Sequence, residues 1–315
     1  MTSTILVTGC DKAYFLMAGL LMHSLRRCAP NLPLFVLDFG LEENQRRFLA
    51  AHCTVLERPP ELPEKSHPFL CKTNIGRFLR PVDWSAMVWM DCDTLAVGRI
   101  DDSLAALLNE MEAAGSEIAA CRDDARTVAG IFASGLSMRP YADALRAKGI
   151  ADDSPYFNVG FLACRSHECL DLWGCIAQQM SFHSMYDQNA FNLMLHGRIE
   201  PRQLSPRIWN LHGALLEQAS IGEAAGRSVL MSGGERTLVL HSTSPRAQDV
   251  FMTTGLRIGS EQIDGALKLC RNPALKEFQD FVINDFISES STELRKAGLL
   301  VSLPSAARSP GRSAK

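Results

Sequence analysis

The sequence predicts an α/β fold, a mostly parallel sheet covered by helices on both faces. Short, wholly apolar runs such as "AMVWM" (86–90) alternate with segments of helical length such as "AYFLMAGLLMHSLRR" (13–27). Strands that are apolar on both sides need cover on both faces, which in a β-α-β rhythm points to parallel pairing. The 315 residues, 46% hydrophobic and 21% charged, suffice for a substantial core.

The elements follow in order. Ile5–Val7 reads as a buried strand, and the helix after it ends on Arg26 and Arg27, which suit a helix C-terminus. "LPLFVLDFG" is a second strand and "LEENQRRFLAAH" a second helix; "CTVLERPP" is a third strand, stopped by its prolines. Lys72–Leu79 reads as helical up to Pro81, "AMVWM" as a strand, Ile100–Ala114 as a helix and "EIAACRDD" as a strand. Asp123–Asp153 breaks the rhythm and reads as an inserted loop or helical flap. The pattern resumes with the strand "YFNVGFLACR", the helices "CLDLWGCIAQQM" and "YDQNAFNLMLHG", and the late strand "TLVLHS". Two C-terminal helices are expected, over 259–272 and 274–297, before a Pro-, Ser- and Ala-rich tail expected to be disordered.

A net charge of −3 excludes the electrostatic footprint of a nucleic-acid-binding protein. The longest early apolar run, Ala13–Met22, is too short to span a bilayer, and no basic leader precedes it, so a cytoplasmic protein is expected. The ten cysteines contain no CxxC pair and fit no common zinc spacing; reduced thiols are the expectation. Arg295, Lys296, Arg308, Arg312 and Lys315 make the C-terminal end basic. That end either solubilises the chain or offers a weak peripheral contact to an anionic inner-membrane surface.

Asp91 and Asp93 follow the fourth apolar strand, and ligands of open sheets bind beyond C-terminal strand ends. Carboxylates at i and i+2 of an extended segment face the same side. Two hard oxygen ligands suit Mn2+ or Mg2+, which complete their shells with substrate phosphates. The alternative is a capping Asp and a solvated turn Asp ahead of the helix at Ile100. A haloacid-dehalogenase-type phosphatase also starts from Asp-x-Asp, but it places a Thr two residues after the second Asp, whereas Thr94 follows at once.

"DCDT", "FNVGF", "DQNAFN" and a terminal apolar strand ending in His, in that order, resemble the family-8 glycosyltransferases of the GT-A fold over residues 4–245. The resemblance implies a GT-A catalytic domain over 1–245, a C-terminal helical extension over 246–300 and a tail over 301–315. It implies transfer of a sugar from a nucleotide diphosphate donor, usually a UDP-sugar, to a glycan, lipid-linked or protein acceptor. Configuration would be retained through an oxocarbenium-like ion pair, with the departing phosphate helping to deprotonate the acceptor.

Carried over residue by residue, Asp91, Asp93 and His241 hold the divalent metal, with Asp91 also near the donor ribose. Thr8 and Asp11 in "VTGCDKAY" meet the base and ribose, and Lys72, with Arg77 second, reaches the donor sugar or phosphates. Asn158 binds a sugar hydroxyl while Gly160 lets the backbone approach. Asp187 holds sugar hydroxyls, and Gln188 lies near the anomeric carbon. The chain departs from the family at Asn189, where an Asp is usual, and after His241, where "STSPRAQ" replaces a Gly and a Lys-Pro-Trp. Arg246 is the candidate replacement for the phosphate-binding Lys, although its planar fork differs from a point charge. Those departures leave open a catalytically silent nucleotide-sugar-binding protein of the same fold. A sugar-phosphate nucleotidyltransferase is disfavoured, because "TGCDKAY" lacks a Gly-rich basic signature.

Overall fold

The computed structural model describes residues 3–63, 65–133, 139–196, 198–224 and 226–303. Strand β1 (Thr4–Cys10) leads into α1 (Phe15–Cys28), and β2 (Leu34–Asp38) into α2 (Glu43–Ala50). The entry to α2 is a capping box, in which the Glu42 N–H donates to Gln45 Oε1 at 3.0 Å. After β3 (Thr54–Leu56), the expected single helix over 72–79 is two short ones, α3 (Pro68–Lys72) and α4 (Ile75–Phe78). The break falls at Thr73 and Asn74, whose side chains both donate to the Leu70 carbonyl. Then come β4 (Ala86–Met90), the short β5 (Thr94–Ala96) and α5 (Asp101–Ala113).

Strand β6 (Ile118–Thr127) extends into the stretch expected to be irregular, and the flap carries two helices, α6 (Val128–Ala133) and α7 (Arg139–Lys148). Tyr141 and Leu145 anchor α7 in the core. Next are β7 (Pro155–Cys164), α8 (His167–Gln178), α9 (Tyr186–Leu195), β8 (Arg202–Leu204) and α10 (Pro206–Trp209). A 3-10 turn over Gly213–Gln218 precedes a meander of β9 (Ala219–Ala224), β10 (Arg227–Ser232) and β11 (Glu235–Arg236). The chain continues through β12 (Val239–His241), β13 (Val250–Ile258), β14 (Glu261–Cys270), α11 (Pro273–Lys296) and β15 (Leu300–Ser302).

The central sheet has the order β3-β2-β1-β4-β7-β6-β8. It is parallel from β3 to β4 and again between β6 and β8, while β7 runs antiparallel to both its neighbours. Alternation along β4 divides the core. Met87 and Trp89 pack with α4, α8 and α9, and Val88 and Met90 pack with α1 and α5. Every residue of β4 is buried, which explains its unbroken apolar sequence. Among the described residues, no helix is long and apolar enough to cross a membrane.

The helix expected over 259–272 is instead a β-hairpin. Gly259, at φ 61°, forms the tight turn with Ser260 between Ile258 and Glu261. An extra residue at Gly265–Ala266 bulges β14, since Thr253 pairs with Leu267 but Gly255 pairs with Asp264. The bulge turns Ile263, Leu267 and Cys270 inward, a spacing of four and then three that imitates a helical face. Gly265, at φ 139°, lies against α1, where an added β-carbon would sit 3.2 Å from Leu16 Cβ. The hairpin and α11 share one apolar cluster with α1 and α2, through Ile263, Leu267, Phe286, Leu16 and Phe48. Val301 and Ser302, assigned to the tail from sequence, pair with β14; the remainder of the tail, 304–315, lies outside the described residues. Arg295, counted with the basic end, is engaged by Glu261 at 2.6 Å.

Candidate active site

Parallel β1 and β4 end on the same edge of the sheet, and a cleft of about 530 Å³ opens there. Asp11, Tyr14, Lys72, Trp89, Asp91, Asp93, Asp187 and Lys268 contribute to its walls. Asp91 and Asp93 leave β4 in a turn pinned by Asp91 N–H to the Gly160 carbonyl at 2.9 Å and by Thr94 Oγ1 to the Asp91 carbonyl at 2.7 Å. His241 arrives from far along the chain because β12 pairs antiparallel with β5, setting His241 opposite Thr94. Its Nε2 lies 3.2 Å from Asp93 Oδ1 and 4.0 Å from Asp91 Oδ2. One ligand atom from each of the three residues falls within 4.8 Å of the others.

The hydrogen-bond network fixes which imidazole nitrogen faces the carboxylates. The Gly160 N–H donates to Asn158 Oδ1, which therefore also accepts from Asn210 Nδ2, both at 2.8 Å. That orientation leaves Asn210 Oδ1 as the acceptor for His241 Nδ1–H at 2.9 Å. Nε2 then faces two carboxylates, an arrangement that either a proton on Nε2 or a bound cation between them would balance. A borderline nitrogen with two hard oxygens fits Mn2+ or Mg2+.

Two lysines balance the acids. Lys72 Nζ is 2.6 Å from Asp91 Oδ1 and 3.1 Å from Asp187 Oδ2, and stands 5.6 Å over the Trp89 ring. Burial works against its charge, but Asp91 and Asp187 outweigh it and push the ammonium up to about 12. Trp89 Nε1–H also donates to Asp91 Oδ1, at 2.7 Å. Lys268 Nζ lies 2.6 Å from Asp93 Oδ2 and 5.5 Å over the Tyr14 ring. Burial disfavours the Asp93 charge, yet His241 and Lys268 more than offset it and hold the carboxyl well below the usual carboxylate range.

The other sequence-derived candidates divide. Asp11 lines the cleft and its Oδ1 also accepts from the N–H groups of Ala13 and Tyr14, so it shapes the turn into α1. Asp187 opens α9 and faces Lys72. Asn158 and Gln188 both donate to Asp123 Oδ2, at 2.9 and 3.1 Å, forming a relay that continues through Asn210 to His241. Thr8 lies inside β1, its hydroxyl buried and unpartnered among the described residues, behind the cleft-lining Gly9 and Cys10. Arg246 is not among the residues lining the cleft, its Nε 2.8 Å from Asp249 and its Nη2 3.3 Å from Glu217. Arg77 lies in a separate depression beside α8. Asn189 is spent in the core, accepting from the Tyr156 hydroxyl at 2.5 Å and meeting His183 Nε2 at 2.9 Å.

Sequence reasoning missed Lys268, Asp123, Asn210 and His212. Lys268 was hidden by the helical reading of its strand, and Asp123 by its place in an irregular stretch. His212 is buried beside the relay, its Nδ1 2.7 Å from the Asn210 carbonyl and its Nε2, without a hydrogen-bond partner among the described residues, 3.9 Å from Asp123.

No family model matches the sequence, and a search of curated proteins finds no match. Solved structures do match. The glycosyltransferase GlyE of Streptococcus pneumoniae TIGR4 covers 98% of this chain at a TM-score of 0.50 and 15% identity. The chain has the GT-A fold. The GT-A chain spans 66% of GlyE's length. It is similar as well to the galactosyltransferase LgtC in complex with donor and acceptor sugar analogs, at 18% identity and TM-score 0.46, over 66% of this chain and 74% of that one. The bifunctional glycosyltransferase WbbM matches 68% of this chain at 16% identity and TM-score 0.48, and this chain spans 40% of it. At 15% identity what this chain shares with GlyE is the GT-A fold.

Proposed function

We propose that this chain is a metal-dependent glycosyltransferase that moves a sugar from a nucleotide diphosphate donor, a UDP-sugar, to an acceptor hydroxyl. The observation that carries the reading is the meeting of Asp91, Asp93 and His241, 150 residues apart in sequence at the widest, at one cleft. Mn2+ or Mg2+ held there would supply positive charge to the diphosphate as it leaves. Asp11 sits where a base or ribose would be met, and Lys72 holds Asp91 and Asp187 in place while offering a cation to the donor. Asp187 would position donor hydroxyls. Gln188, fixed by Asp123, would lie against the anomeric carbon while Asn158 steadies the His241 relay. Retention of configuration is part of this reading, with the departing phosphate taking the acceptor proton. This reading assigns no direct donor contact to Thr8, whose hydroxyl is buried, or to Arg246, which pairs with Asp249.

The test is a panel of nucleotide sugars, read by Mn2+-dependent thermal stabilisation and by release of nucleoside diphosphate. UDP binding indifferent both to Mn2+ and to Asp93→Asn would sink the reading. A second reading, a sugar-nucleotide-binding protein without turnover, is favoured by the engagement of Arg246 with Asp249 and Glu217. Tight UDP binding with no hydrolysis and no transfer would select it.

A further inference from the structure

A second groove, of about 490 Å³, runs along the bulged end of β6, between Arg122, Asp123 and Arg126 on one side and Arg207 and Glu235 on the other. Asp123 joins it to the cleft. The carboxylate that lines the groove holds Gln188, whose chain neighbour Asp187 lines the cleft. A group bound in the groove would therefore be separated by one side chain, Asp123, from the residue placed at the reacting sugar.

The charges of this groove are unevenly committed. Asp123 is occupied by Asn158 and Gln188. Asp124 accepts the Ala214 N–H at 2.9 Å, packed so closely on Gly213 that a β-carbon there would fall 2.6 Å from its Oδ2. Glu235 accepts from the Ser205 hydroxyl at 3.0 Å and lies 4.0 Å from Arg207 Nε, and Arg207 donates to Ser232 Oγ at 3.1 Å. Arg122 and Arg126 are exposed and take no salt bridge or side-chain hydrogen bond among the described residues. The acids are spent inward, and two guanidinium groups remain.

The backbone is distorted to present them. Strand β6 loses register with β7 between Arg122 and Thr127. Within that bulge Arg126 adopts φ 62°, a left-handed conformation that costs a side-chain-bearing residue about 1–2 kcal/mol. A regular strand would have paired these residues with β7. The bulge instead sends Asp123 and Asp124 to internal partners and leaves the arginines facing solvent at the rim.

We propose that this groove binds the acceptor and that the acceptor is an anionic saccharide, its phosphate or carboxylate engaged by Arg122 and Arg126. Planar guanidinium groups pair with oxyanions through two parallel N–H bonds, a geometry that a neutral hydroxyl cannot match. The inference rests on the transferase reading, and its test separates the two. Calorimetric titration with glucose, glucose 6-phosphate and glucuronate, in the presence of UDP and Mn2+, is compared between the native chain and an Arg122→Ala/Arg126→Ala variant. UDP–Mn2+ affinity is measured in both. Expected is a preference of about tenfold or more for an anionic sugar over glucose, about 1.4 kcal/mol, with the stronger of the two anions naming its chemistry. That preference should vanish in the double variant and largely survive in Arg122→Lys/Arg126→Lys, with melting temperature and UDP–Mn2+ affinity unchanged. Equal binding of glucose and the anionic sugars, or a preference that survives the alanine variant, overturns the proposal. So does arginine-dependent binding to phosphatidylglycerol vesicles without any binding of the anionic sugars. An arginine-dependent preference together with no UDP binding would keep the groove and remove the transferase reading.

Discussion

Gly160 leaves no room for a side chain beneath His241: a β-carbon there would fall 2.3 Å from both Cε1 and Nδ1 of the imidazole. The glycine of the Phe-Asn-x-Gly stretch thus determines where a residue 81 positions later can sit. Gly160→Ala should push the ring off Asn210 and away from Asp93. The expected cost is about 1–3 kcal/mol, the range for overpacking a close-packed site. Scanning calorimetry with and without Mn2+ should show the metal-dependent rise in melting temperature lost in the variant. Retention of that rise would mean His241 is dispensable to the site.

Lys268→Met removes the ammonium from Asp93 and leaves a buried carboxylate opposed by His241 alone. The expected loss in the absence of metal is about 3 kcal/mol, since an unbalanced buried charge remains. Mn2+ should restore more stability to this variant than to the native chain, because a cation then fills the deficit. Equal stabilisation of both by Mn2+ would show that metal and lysine do not share Asp93.

Gln188 touches the donor sugar in the proposed reaction but stands clear of the ion cluster, its side chain bonded to Asp123 and to the Val159 N–H. Gln188→Ala should therefore lower turnover by about 10–100-fold while changing donor affinity less than threefold, the pattern of a group used in the transition state. Steady-state kinetics beside direct UDP-sugar titration would separate the two. Unchanged turnover returns Gln188 to a role in holding Asp123.

His212 gives a pH dependence. Burial, set against the nearby Asp123, holds its imidazole below the usual histidine range. A depressed folded value means that stability is present above the unfolded value, about pH 6.5, and is lost as pH falls below it. Urea unfolding should weaken between about pH 7 and pH 5, and His212→Gln should remove up to about 1.4 kcal/mol per pH unit of that slope, the share of one proton. Identical slopes would mean that His212 takes up its proton as readily in the folded chain as in the unfolded one.

Much of the sheet was legible because β1, β2 and β4 carry unbroken apolar runs and their helices carry length and end signals. The positions of Asp91, Asp93, Asp187 and His241 were readable for the same reason: each stands at the end of a well-marked element. What was not readable depended on irregular backbone. The Gly265 bulge gave β14 a helical spacing and concealed Lys268. The β6 bulge concealed Asp123, which looked like surface charge until its contacts with Asn158 and Gln188 were seen. The meander over 219–236 has no long apolar run, and its pairing is fixed by turns at Gly226, Gly233 and Gly234 rather than by pattern. Arg246, named from the resemblance as a replacement for the phosphate-binding Lys, has a partner that sequence order did not reveal, Asp249 three residues on.

The pairing of β5 with β12 and the reach of Lys268 to Asp93 impose a timetable on synthesis. A span of 175 residues separates Asp93 from Lys268, so at about 5–20 residues per second the aspartate leaves the ribosome roughly ten to thirty-five seconds before its lysine is made. Until His241 is made the pair of acids has neither imidazole nor ammonium from the C-terminal part of the chain, and from His241 to Lys268 it has the imidazole alone. Competence to hold a cation is thus acquired late: a chain that stops before β12 lacks the imidazole that completes the cluster, and one that stops before β14 has the three ligands but no ammonium opposite Asp93.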